Sequence, residues 1–137
     1  MKMIKILLYL WQLPQNILGL LVILFTSAFK TKAGYWVCNK SFGVSLGDYI
    51  IFGDLGGRIT ISEKSIKHEQ GHQKQSKIFG PLYLIVIGLP SIIFNIYDRI
   101  FHKDWVYWEK CKWYYDLPWE HWADRLGNVN RDSYGSI

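Results

Sequence analysis

"IKHEQGHQKQSK", residues 66–77, decides how the rest of this chain is read. It sits inside TISEKSIKHEQGHQKQSKIFGP, a run whose ends carry helix signals. Ser62 or Thr60 can cap the start, Glu63 falls in the first turn where the helix dipole favours an acid, and Gly80-Pro81 stops the helix. The pattern predicts a helix over 62–79. On a helix, residues four apart stand above one another on one face. His68 and His72 share such a face, Gln75 and Phe79 continue it, and Glu69 directly follows the first histidine. Lys67, Lys74 and Lys77 spread around the other sides. Gly71 leaves room for close approach by another strand or a substrate. Two readings follow: a pair of imidazoles that grip one ion, or a chance cluster on a solvated basic helix.

A second short motif bears on the choice. In DLPWEHWADRLG, residues 116–127, Pro118 can start a helix and Gly127 can end it, giving a helix over 118–126. Glu120 and Asp124 then share one face. H-E-x-x-H followed downstream by E-x-x-x-D resembles the two motifs of the gluzincin metallopeptidases, the clan that includes thermolysin and the membrane-bound CAAX-protease-like enzymes. The resemblance covers two short motifs rather than a whole domain. It implies a zinc ion held by His68, His72 and Glu120, with Asp124 fixing the tautomer of one histidine from behind. It also implies Glu69 as the catalytic general base that takes a proton from the attacking water, and a peptide or protein substrate. Lys74 departs from the pattern, which prefers a hydrophobic residue two positions after the second histidine. HEQGHQKQSKIFGPLYLIVIGLPS followed by WAD is also similar to a group of small bacterial membrane proteins, which implies a bacterial membrane location and names no substrate. His102 and His121 each stand alone and are expected to be structural or solvated. Tyr114, Tyr115 and His102 are the candidates for donating to an oxyanion.

Composition bounds the setting. A chain of 137 residues is expected to form one domain. Half of its residues are hydrophobic and 17% are aromatic, with seven Trp and nine Tyr, more than a soluble domain of this size needs. A charge of +5 and a pI near 9.2 suggest nucleic acid or an anionic membrane surface. The apolar segments favour membrane lipid as the partner and exclude nucleic acid. The aromatic run around Trp105–Trp122 suits a membrane interface. Cys38 and Cys111 lie far apart without a CxxC pairing, so one disulfide or two free thiols both fit.

The first apolar segment covers 4–29 and follows Lys2 and Lys5. "TSA" at 26–28 resembles the cleavage site of a secretory leader. The length of the segment and its interruption by Gln12, Pro14, Gln15 and Asn16 argue instead for a retained membrane element. Pro14 should divide it into helical pieces over 4–13 and 17–29, with the polar cluster buried in protein or reaching water. Residues 34–61 are short β-branched and aromatic runs punctuated by glycine, with turns near NKSFG and GDLGG. Val44, Leu46, Ile50 and Phe52 share one parity, so a small antiparallel sheet is expected, with those side chains on one face.

Residues 81–97 pose a topological constraint. They are apolar and just long enough to span a bilayer, yet they lie between the two motifs. One simple crossing would put His68 and Glu120 on opposite sides, and nothing in 98–119 is apolar enough to cross back. A break near Gly88–Ser91 at Pro90, with the chain turning back, is the expected escape. Failing that, Asp48 or Asp54 would have to supply the third ligand. The chain is thus read as an α+β, mostly helical, membrane-attached domain, integral or monotopic. A small antiparallel sheet sits beside the 62–79 helix, and 127–137 form a flexible tail. The expected activity is zinc-dependent peptide hydrolysis. The alternatives are a membrane protein whose basic helix binds anionic lipid or a partner protein, and a structural zinc site without catalysis.

Overall fold

The computed structural model describes residues 1–53 and 61–131. The chain runs α1 (Lys2–Trp11), α2 (Leu13–Thr26), β1 (Phe29–Lys30), β2 (Trp36–Cys38), β3 (Gly43–Leu46), β4 (Tyr49–Gly53), α3 (Glu63–Phe79), α4 (Leu89–Phe101), α5 (Tyr107–Tyr115) and α6 (Pro118–Gly127). A 3-10 turn (Gly80–Leu82) and a π-helical turn (Leu84–Gly88) join α3 to α4. Helices dominate and one small sheet accompanies them, the α+β class expected from the sequence.

The sheet has the order β1-β2-β4-β3 and is mixed rather than wholly antiparallel. β1 pairs antiparallel with β2, β3 antiparallel with β4, but β2 runs parallel to β4. The reason lies at residues 39–42. This loop carries the chain past the place of the neighbouring strand, and β4 inserts between β2 and β3. Gly53 makes the insertion possible, because a side chain there would collide with the Lys40 carbonyl, while its N–H donates to the Phe42 carbonyl at 2.6 Å. The two-residue Gly47–Asp48 turn, with Gly47 at φ 64°, pairs Leu46 with Tyr49. That register puts Val44 and Ile51 on one face and Ser45 and Ile50 on the other. The expected single-parity face is therefore wrong: the hairpin swaps parity between its strands. Val44, Tyr49 and Ile51 pack toward Ile23 of α2, and the opposite face meets α3. Of the expected GDLGG turn, Gly53 ends β4 and residues 54–57 lie outside the described residues, as do 58–60 of RITI.

Ser62 caps α3, accepting from the Ser65 N–H at 3.1 Å. The other cap candidate, Thr60, lies outside the described residues. Gly71 sits where α3 crosses α6, and any Cβ there would run into the Ala123 carbonyl. Gly127 meets the Lys67 carbonyl in the same way. Two glycines thus let these helices approach to backbone contact.

The first apolar segment does break, but at Gln12 rather than at Pro14, with α1 and α2 bent by 83°; the second piece starts at Leu13 and ends at Thr26 instead of covering 17–29, and Phe29 belongs to β1. Pro14 falls in the first turn of α2, where its missing N–H costs no helical hydrogen bond. Gln12, Gln15 and Asn16 are fully buried. Ser76 donates to Gln12 Oε1 at 2.7 Å, Gln15 Nε2 donates to Ser76 Oγ at 2.9 Å and to the Gly80 carbonyl at 2.8 Å, and Asn16 Oδ1 accepts from the Asp48 N–H at 2.8 Å. The polar cluster therefore pins the apolar elbow to the end of α3 and to the β3–β4 turn.

The second apolar segment contradicts the expectation of a break and return at Gly88–Ser91. Leu84–Phe101 forms one helical stretch of 18 residues, long and apolar enough to cross a membrane, and almost none of it is buried. Pro90 is absorbed by the π-helical turn before it, in which the Leu89 N–H reaches back to the Leu84 carbonyl; such local register shifts re-satisfy a backbone that proline disturbs. The chain returns by another route. After His102 it reverses, and α5 packs back along α4, with Trp113 stacked on Tyr97 (ring centroids 5.7 Å apart) and against Phe94 and His102. This aromatic hairpin brings α6 level with Ser91.

The two helix-crossing glycines give a test with opposing terms. Alanine is favoured over glycine inside a helix by about 1 kcal/mol, whereas overpacking costs about 1–3 kcal/mol. At Gly71 the obstacle is backbone, so the clash should win: Gly71→Ala is expected to lower the midpoint of thermal unfolding in detergent. An unchanged or higher midpoint would contradict this packing.

Candidate metal centre

α3 presents His68, Glu69 and His72 toward α6, and α6 presents Glu120 and Asp124 toward α3. All five are buried. His68 Nε2 and His72 Nε2 lie 3.1 Å apart, and Glu120 Oε2 lies 3.1 Å from the first and 3.0 Å from the second. Ligand atoms placed tetrahedrally about 2.0–2.1 Å from an ion stand about 3.3 Å from one another, so these spacings suit one small cation.

The surrounding hydrogen bonds determine what these atoms offer. His68 Nδ1 donates to Asp124 Oδ1 at 2.7 Å. His72 Nδ1 donates to Gln75 Oε1 at 2.7 Å, and the Gln75 amide is held by its own donation to the Trp119 carbonyl at 2.8 Å. With both protons on Nδ1, each neutral ring turns an Nε2 lone pair inward. Neutral rings would thus offer two nitrogen lone pairs beside a carboxylate oxygen at one point, 3.0–3.1 Å apart. Convergent acceptors in a dry site need a proton or a metal ion to hold them together.

The electrostatics agree. Burial opposes charge on His68, yet hydrogen bonds to Asp124 and Glu120 and the charge of Glu69 outweigh it and raise the imidazole to about 9. Burial would raise Glu120, but its bonds to His68 and His72 outweigh that and hold it well below the usual carboxylate range. Asp124 is likewise lowered against burial, by His68 and then Arg131. Glu69 goes the other way: burial raises it, partly countered by the histidines. The pocket wants positive charge at its centre.

Glu120 is itself positioned. Its second oxygen, Oε1, accepts from Ser91 Oγ and from Tyr114 Oη at 3.1 Å, and Tyr114 also reaches the Ser91 carbonyl at 3.3 Å. This leaves Oε2 for the centre. Asp124 is held by Arg131, whose Nη2 donates to Oδ1 at 2.8 Å and whose Nε donates to Oδ2. The Arg131 guanidinium lies 3.4 Å over the Tyr115 ring, and Tyr115 packs edge-on against His68. Glu69 has no hydrogen-bond partner among the described residues; its carboxylate lies beside Gly43 of β3, within about 3.5 Å of where a Cβ there would sit.

The structure thus brings together the five residues singled out in the sequence. Asp48 is bound to Gln12 and Asn16 at the hairpin turn instead, and Asp54 lies outside the described residues. Of the oxyanion candidates, Tyr114 spends its hydroxyl on Glu120, and His102 is held by Asp98 and stacked on Trp105. Lys74, the departure from the motif, serves the helix crossing, where its Nζ donates to the Leu126 carbonyl at 2.5 Å near the C-terminal end of α6. Sequence reasoning did not reach Gln75, Ser91 or Arg131 as positioning residues. Gln75 was visible as a continuation of the histidine face, but nothing in the sequence marked the other two. Comparison with known protein families, curated proteins and solved structures found no match.

Residues that orient ligands without touching the ion usually contribute about 10–100-fold to affinity. Asp124→Asn and Gln75→Leu are each expected to weaken binding of a divalent ion by that factor in competition with a chromogenic chelator. Affinity unchanged in both would mean that the tautomers are set otherwise.

Proposed function

We propose that this chain is a membrane-attached zinc metallopeptidase of gluzincin type. One observation carries the reading: three fixed lone pairs converge beside a buried carboxylate, Glu69, that has no hydrogen-bond partner among the described residues. Two imidazole nitrogens and one carboxylate oxygen at tetrahedral spacing make up the three-residue ligand set that suits catalytic zinc. When bound, zinc supplies Lewis acidity, polarising the scissile carbonyl and bringing the acidity of water toward neutral pH. His68, His72 and Glu120 hold the ion, and Asp124 and Gln75 keep both Nε2 atoms available. Glu69 takes the proton from the attacking water and passes it to the leaving amine. Its upward shift by burial suits a base that must also give the proton back.

β3 supports a peptide substrate. It is an edge strand beside Glu69. Gly43 and Ser45 alternate with the residues bonded to β4, so their backbone groups point outward. The Ser45 carbonyl already accepts from Tyr83 at 3.2 Å, and the Gly43 end is the place for an extended chain to add.

The membrane reading rests on the outer faces. Ile4, Leu7 and Leu10 on α1, Leu21, Leu24 and Phe25 on α2, and Ile85, Leu89, Ile92, Ile93 and Ile96 around α4 are all exposed. α3 and α6 touch backbone to backbone, so α4 cannot place them on opposite sides of a bilayer. α3 also exposes Gln70, Lys74 and Lys77, which belong in water. The arrangement that meets both demands is monotopic, with α4 lying along the lipid surface, its outer face immersed and Ser91 turned toward the metal centre.

A zinc staple between α3 and α6 would use the same ligands, but it gives Glu69 no role. Glu69→Gln is expected to keep zinc while cleavage of a fluorogenic peptide library falls by about 10²–10⁴, the usual share of a positioned base. His68→Ala should lose both metal and cleavage. A Glu69→Gln protein that cleaves at the wild-type rate would contradict the catalytic role. For the membrane, the double variant Ile92→Glu with Ile96→Glu should stop the protein floating with vesicles yet leave zinc binding intact; retained flotation would contradict immersion of α4.

A further inference from the structure

α5 has two working faces. Tyr114 reaches Glu120, whereas Trp108, Glu109, Lys112, Trp113 and Asp116 turn to the other side and, with Trp105, line a surface cavity of about 350 Å³. The metal centre takes no part in it. We propose that this cavity binds the phosphocholine headgroup of a membrane lipid.

The lining chemistry fits that zwitterion. Three indoles and two carboxylates are the groups that recognise a quaternary ammonium, which offers no hydrogen bond and is held by ring faces and nearby negative charge. Lys112 lies on the same face, between Glu109 and Asp116, and supplies the one cation that a phosphate needs. One positive and two negative groups among indoles match a phosphate joined to a trimethylammonium better than they match a plain anion.

The cavity walls are held in place. The His102 ring stacks on Trp105 with centroids 3.7 Å apart, and His102 is in turn bound to Asp98 at 2.9 Å. Trp113 is wedged between Tyr97 and His102. Glu109 is anchored by accepting from the Val106 N–H at 3.2 Å. Walls held this way need little reordering to receive a headgroup.

The occupant is a lipid because of where the cavity lies. Val106 and Tyr107, which lie between the lining residues Trp105 and Trp108 in sequence, are exposed, as are Ile100 and Phe101 at the end of the apolar α4. A headgroup in the cavity leaves its acyl chains along those side chains. This inference rests on the membrane attachment proposed above and not on catalysis.

The test uses the full chain in a detergent without choline groups and follows indole N–H signals by NMR. Choline and phosphocholine should give saturable shifts confined to Trp105, Trp108 and Trp113, while ethanolamine and inorganic phosphate should not. Trp108→Ala should weaken binding about tenfold, as expected for loss of a ring contributing about 1.4 kcal/mol. Asp116→Asn, which keeps the shape of the cavity, should weaken it as well. Flotation with phosphatidylcholine vesicles should exceed flotation with phosphatidylethanolamine vesicles and lose that excess in Trp108→Ala. If free phosphocholine fails but the vesicle preference depends on Trp108, the lipid is confirmed as the source. Equal shifts with ethanolamine, or no shifts together with a vesicle preference that ignores Trp108, would overturn the proposal.

Discussion

The backbone contact between α3 and α6 is the constraint on which the site depends. Two glycines create it, one on each helix. Gly71 lets the Ala123 carbonyl approach α3, and Gly127 lets the Lys67 carbonyl approach α6. With the axes this close, short side chains from both helices meet at one point. At this crossing Glu120 Oε2 reaches both histidines directly, at 3.1 and 3.0 Å. The glycine in HEQGH is therefore part of the site, although no atom of its own lies in the chemistry.

That contact creates an electrostatic problem which the other residues share. Glu69, Glu120 and Asp124 are three carboxylates in one buried volume. Arg131 balances part of the charge from the Asp124 side. The inner side, where lone pairs of His68, His72 and Glu120 face one another, is left for a cation. Ser91 and Tyr114 bind the far oxygen of Glu120 and so decide which oxygen faces inward. In this way an apolar helix and an aromatic helix, neither contributing a ligand, set the geometry of the centre.

Local periodicity made the ligands legible in the sequence. His68 with His72 and Glu120 with Asp124 are both spaced by one helical turn, and Ser62, Gly80, Pro118 and Gly127 bounded their helices correctly. Pro14 was legible for the same reason, since the polar residues around it needed a buried home. Pro90 was not. A proline in an apolar run can break a helix or be absorbed by a wider turn, as here by the turn at Leu84–Gly88, beside the buried Tyr83 and Ile87, and pattern does not tell the two apart. The return path was also hidden, because α5 is held by stacked rings of Phe94, Tyr97 and Trp113 rather than by an apolar run. The sheet was misjudged in pairing and parity because both depend on a tight contact between Gly53 and the 39–42 loop and on the length of one turn. Ser91 and Arg131 lie apart in sequence from the motifs they support, and no short-range signal ties them to the site.

The central claim is that this point in the protein is built for a metal held by nitrogen and oxygen. X-ray absorption at the zinc edge, on protein purified without chelators, tests it most directly. The account expects one zinc per chain, with two imidazole nitrogens and carboxylate or water oxygen at about 2.0–2.1 Å, and loss of that signal in Glu120→Ala. A first shell containing sulfur, which would point to Cys38 or Cys111, or protein that takes up no zinc, would contradict it.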